Sequence, residues 1–142
     1  MAGLQTTNSA LRTSITNQIN AKQTEKNSLN EKITGAGNLV QRYSEIITKL
    51  RALESDFITE QRTLSSFEIN KNEWTGKTAR EVEGYFERVE DESSYIVSQI
   101  GIQISYVEDE KARQEQAALS FGGQINTLDN QIAGLRNRLS NL

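Results

Sequence analysis

Apolar residues recur along this chain at steps of three and four, the spacing that places side chains on one face of an α-helix. In the first half, Leu11, Ile15 and Ile19 begin a sparse stripe that Leu29 and Ile33 resume. Ala36, Val40, Tyr43, Ile47 and Leu50 carry it on, followed by Leu53, Phe57, Leu64 and Phe67. In the second half, Val82, Phe86, Val89, Ile96, Ile100, Ile104 and Val107 form another stripe, which Tyr85 and Tyr95 widen. Segment 108–116 is highly charged and offers little to bury. Beyond it, Ile125, Leu128, Ile132, Leu135, Leu139 and Leu142 step by three and four without a miss. That is the cleanest heptad seam in the chain, and such a seam wants a helical partner. The strict alternation expected of strands is missing throughout.

The interruptions give this pattern its topology. Asn70, Asn72 and Gly76 close the first helical run. Thr78 followed by Glu81 reads as a capping box that opens the second, with the Thr hydroxyl and the Glu carboxylate each taking an orphan N–H. The turn at Trp74-Thr75-Gly76 therefore divides one domain, 1–142, into an arm over about 4–70, a turn over 71–77 and an arm over about 78–141. The fold class expected is all-α: an elongated antiparallel helical hairpin, a coiled-coil-like bundle with long arms. A turn near residue 75 pairs positions whose numbers sum to about 150, and the stripes then oppose each other. Leu50 falls near Ile100 and Tyr43 near Val107. Lys22 and Lys26 fall near Leu128 and Gln124, a mismatch suggesting that a second chain covers the C-terminal seam. Gly35 with Gly37, and Gly122 with Gly123, each mark a kink or a break, since a helical Gly costs about 1 kcal/mol against Ala.

Composition supports a thin helical molecule over a globule. Hydrophobic residues make up 35% of the 142, enough for a narrow seam but little for a compact core. Pro is absent, which removes the strongest helix breaker. His and Cys are absent too, so imidazole bases, thiolate nucleophiles and the usual zinc ligands are missing. A thin hairpin offers no cleft to perturb the carboxylates that remain, and the expectation is a protein that is not an enzyme and needs no cofactor or metal. Glu87, Glu90, Asp91 and Glu92, like Glu108, Asp109 and Glu110, radiate around helices as a solvated face and do not converge as a calcium loop does. Gly122-Gly123 has no Lys-Ser/Thr after it to make a phosphate loop. The net charge of −3, from 16 basic and 19 acidic residues, gives no basic stripe for nucleic acid. Segment 95–107 is too short and too polar to span a bilayer. The opening MAGLQTTNSALRTS lacks the apolar stretch of a signal peptide.

Trp74-Thr75-Gly76 is the most informative motif. By itself W-x-G is a Trp capping a hairpin and a Gly reversing the chain. Its setting is more specific: mid-chain, between two long amphipathic helices, with Phe67 before it and Tyr85-Phe86 after it. In these residues the chain resembles the WXG-type helical-hairpin proteins of type VII secretion in Gram-positive bacteria. It is most similar to the longer YwqH-like partners of LXG polymorphic toxins. The resemblance implies a helical hairpin that assembles with an LXG toxin's helical region or another small helical protein. It also implies a targeting or chaperone role, contact with a secretion ATPase, and secretion from the cytoplasm without a cleaved signal peptide. Homo-oligomers fit the same seams, and neither nucleic acid nor membrane insertion is expected. In that family a Tyr followed four residues later by an acid acts with W-x-G in export, and Tyr106 with Glu110 matches this spacing. The family's small members carry that signal near the C-terminus, whereas here 32 residues follow Glu110. Two other readings stand beside this one. The first is a structural coiled-coil protein without a secretory role, and the second a carboxylate-based or metal-dependent helical-bundle enzyme.

Overall fold

The structure, a computed structural model, describes residues 2–66 and 76–142. Two helices account for nearly all of them: α1, Ala2–Ser65, of 64 residues, and α2, Gly76–Ser140, of 65. They pack against each other as an all-α helical hairpin, and no strand occurs among the described residues. The expected turn residues 71–75, and with them Phe67 and the last residues of the expected first arm, lie outside the described residues.

Neither sequence is built from strong helix formers, and the helices manage their Thr residues locally. Thr13, Thr24, Thr34, Thr48 and Thr59 each donate their hydroxyl to the carbonyl four residues back, at 3.0–3.1 Å. This satisfies the hydroxyl without leaving the helix, though it adds little stability of its own. Arg62 and Arg138 stand in the last turns, where a cation complements the helix dipole. Continuity over such lengths comes chiefly from the buried face, since isolated helices of this composition are marginal in water.

The contacts fall into two compact units. The first comprises Met1–Gln41 with Ala112–Leu142, and the second Arg42–Lys111. In the first unit Ile15, Leu29 and Ala36 of α1 and Leu128, Ile132 and Leu135 of α2 are buried. Ile15, at 1% exposure, is the most enclosed. The α1 residues belong to the heptad row 15, 22, 29, 36, and its odd member is Lys22. Lys22 is half-buried and donates its ammonium to Gln131 Oε1 at 2.8 Å. Lys26 Nζ lies 2.7 Å from Asp129 Oδ1. Both stems run along the apolar seam while the charged heads leave it for polar partners, the usual behaviour of long cationic side chains.

The register therefore differs from one centred on residue 75. Lys22 meets Gln131 instead of Leu128, and Lys26 meets Asp129 instead of Gln124. A slip of about one helical turn gives both ammonium groups acceptors and leaves Leu128 and Ile132 buried. Turn position fixes register only loosely, and the polar pairs along the seam decide it. In the second unit the slip has the same sense: Gln61 donates to Ser94 at 2.7 Å, and Ser65 to Glu90 at 3.4 Å. That unit's core is Ile47, Ile100 and Ile104, with Leu50, Phe57 and Val107 packed around it. Leu50 and Ile100 do share one cluster, as the stripes required. Arg51 reaches across to Glu108 as an exposed ion pair, worth under about 1 kcal/mol at such exposure.

The glycines at 35, 37, 122 and 123 do not break the helices. Both α1 and α2 run through them uninterrupted. Ala36, between the first pair, is only 4% exposed, so the buried seam holds the helix where propensity alone would loosen it. Lys32 places its ammonium 5.8 Å from the centre of the Phe121 ring, beside the second pair.

Candidate functional site

The W-x-G junction is described from Gly76 onward, and Trp74 and Thr75 lie outside the described residues. Gly76 has φ +66° and is the first residue of α2. Among the described residues it is the one glycine in the left-handed region. The helix thus begins two residues before the Thr78 cap expected from sequence. Glu81 Oε1 lies 4.0 Å from Lys77 Nζ, an exposed i,i+4 pair worth a few tenths of a kcal/mol. Nothing crowds a Cβ built on Gly76, so its requirement is purely conformational. Gly76→Ala is expected to lower stability by about 1–2 kcal/mol through left-handed backbone strain. A thermal melt checks this, and Gly76→Asn should fall between the two because Asn tolerates that region better.

Tyr106 and Glu110 lie one turn apart on the same face of α2, inside the second unit. Tyr106 is 64% exposed, so its ring and hydroxyl are open to a partner. Glu110 is half-buried and already engaged within the hairpin. The two halves of this candidate signal thus have different surroundings: a free aromatic surface beside an anchored carboxylate.

The C-terminal seam faces inward. Leu128, Ile132 and Leu135 are buried within the hairpin, and Ile125 and Leu139 at its ends are half-buried. The seam has found its helical partner in α1 of the same chain, because Lys22 and Lys26 turn their heads aside and leave the face apolar. What the hairpin leaves open lies elsewhere. In the second unit, Ile46 and Leu53 of α1 and Val89 and Ile96 of α2 are 39–50% exposed. Phe57, Leu64, Val89 and Ile96 line an open groove of about 380 Å³, with Glu60 and Glu92 also along it. In the first unit, Gly37, Gly122 and Gly123 leave a shallower groove beside Val40, Leu119 and Ile125.

Tyr85 and Tyr95 do not widen the buried stripe. They are 61% and 66% exposed. Counting heptads, not merely steps of three and four, would have separated them, since Tyr95 sits about 100° around the helix from Ile96. Of the acids, Glu90 accepts from Ser65 and Glu108 pairs with Arg51, whereas Glu87, Asp91, Glu92 and Asp109 are exposed. No three acidic side chains converge among the described residues, and no described helix is long and apolar enough to cross a membrane. No family model, no curated protein and no solved structure matches the chain.

Proposed function

We propose that this chain is a small helical partner of a type VII secretion system. In this reading it binds the helical region of an LXG-type toxin, or another small helical protein, and contributes part of a composite export signal. The observation that carries the reading is a W-x-G motif at the junction of two long packed helices, in a hairpin whose second helix opens at the motif's glycine. Tyr106, exposed one turn before Glu110 on α2, supports it as the second half of such a signal. The partly exposed apolar residues Ile46, Leu53, Val89 and Ile96 supply the kind of surface on which one helix recognises another. Such a partner is made in the cytoplasm, holds the toxin's helices soluble there, and leaves with its cargo.

The test is secretion of the cognate toxin in a strain carrying Trp74→Ala. Toxin in the culture supernatant is expected to fall at least about tenfold, the effect of removing a large aromatic anchor, while the variant hairpin still accumulates in the cell. Unchanged toxin secretion would favour a structural coiled-coil protein instead. Tyr106→Ala should act in the same direction without altering the melt, because its ring is exposed.

A further inference from the structure

Helix α2 carries a second heptad row besides the one that closes the core of its unit. Arg88, Tyr95, Ile102 and Asp109 recur every seven residues, and Glu92, Gln99 and Tyr106 interleave them in steps of four and three. This row lies well around the helix from Ile100, Ile104 and Val107, the residues turned toward α1. Tyr95 is 66%, Ile102 54% and Tyr106 64% exposed. Arg88, Glu92 and Asp109 are exposed as well, and Gln99 is half-buried. Single exposed apolar residues need no explanation. Three of them at heptad positions within three turns of one helix form a contiguous patch with the geometry of a helix–helix seam.

We propose that this face docks a second copy of the chain, α2 against α2, antiparallel about a two-fold axis close to Gln99. The charge order along the row selects both the occupant and its direction. Arg88 stands at one end of the seam and Asp109 at the other, with Tyr95 and Ile102 between them. A parallel pair would set Arg88 on Arg88 and Asp109 on Asp109. An antiparallel pair brings Arg88 to the second copy's Asp109 and Tyr95 to the second copy's Ile102. It also brings Tyr106 to the second copy's Glu92, where the phenol donates to the carboxylate. Under a two-fold axis each pairing occurs twice, which is the self-complementarity an isologous interface demands. The Arg88 guanidinium already lies 5.2 Å from the centre of its own Tyr85 ring. That stacking holds the planar fork while leaving its edge N–H groups able to bind a carboxylate. A single helix face of this length is at the small end of protein interfaces, so the dimer forms reversibly and with rising concentration.

Sedimentation velocity of the full chain from about 5 to about 500 µM covers the range such an interface requires. A monomer–dimer equilibrium is expected, and Ile102→Glu should weaken it by about tenfold or more. The circular dichroism of the dilute Ile102→Glu monomer should match that of the parent chain. Arg88→Asp and Asp109→Arg should each weaken the dimer. The double variant should restore it, because the swapped pair re-forms across the two-fold axis. The chain has no Cys, so Gln99→Cys should give a disulfide-linked dimer on mild oxidation. A chain that stays monomeric over the whole range overturns the proposal. So does a dimer indifferent to Ile102→Glu, or a double charge swap weaker than either single one. The dimer does not depend on the secretory reading, and toxin export plays no part in these measurements.

Discussion

Ile132→Asp is expected to lower stability by about 3 kcal/mol or more, the largest effect of any substitution considered for this chain. Ile132 is 4% exposed. It lies in a core that, among the described residues, counts only Ile15, Leu29, Ala36, Leu128, Ile132 and Leu135 as buried in its unit. Removing a buried aliphatic side chain and placing a carboxylate there combines lost apolar burial with an unpaired charge. The nearest cations are already committed, Lys26 to Asp129 and Lys22 to Gln131. A shift of this size corresponds to a fall of roughly 10 °C in melting temperature for a chain of this length. Circular dichroism melts give the shift, and amide exchange should show the largest loss of protection in 112–142 and its α1 counterpart. Ile102→Asp is the matched control. It makes the same chemical change on the same helix at 54% exposure and should alter monomer stability by no more than about 0.5 kcal/mol. Equal effects at the two positions would mean that the buried and exposed faces of α2 are wrongly assigned.

The contrast between Ile132 and Ile102 also marks what could be read from the sequence. Steps of three and four reveal that a segment is an amphipathic helix, and here they suffice for both helices and their antiparallel packing. They are less able to tell two stripes on one helix apart. Ile96 and Ile100 follow Tyr95 so closely that Tyr95 passes as a widening of the same face, though its ring is turned to solvent. Only the seven-residue row Arg88, Tyr95, Ile102, Asp109 separates it. Register was legible to within about a turn. What moved it was the pair of lysines on the α1 seam, whose heads find Asp129 and Gln131. A hydrophobicity pattern scores Lys22 as a defect, whereas its long stem covers the seam and its charge leaves it. The same pairing explains why the C-terminal seam, an obvious surface for a second chain in sequence, is filled by α1. The W-x-G motif is different in kind. It was visible only as three residues and their setting, and its part in recognition depends on a partner that neither helix specifies.

Gly35, Gly37, Gly122 and Gly123 provide the second large effect, in the opposite direction. Replacing all four by Ala is expected to stabilise the hairpin by about 2–4 kcal/mol, at roughly 0.5–1 kcal/mol for each position. The gain arises mainly from the unfolded chain, which loses more conformational freedom at Gly than at Ala when the helix forms. Two structural conditions must hold for it to appear, and both do. Each glycine lies inside an unbroken helix, and a Cβ built at each meets nothing within 4 Å. Gly76 is the internal contrast: it also has room for a methyl group, yet its φ of +66° makes Ala a loss there. Space and backbone angle are thus separable requirements within one chain. The four-fold variant should raise the melting temperature by roughly 5–15 °C, with little change in helical content at low temperature. An unchanged or lowered melting temperature would show that these positions leave the helical conformation in solution. The helices would then be jointed at the glycines, and the burial of Ala36 would not be what holds α1 straight through that stretch.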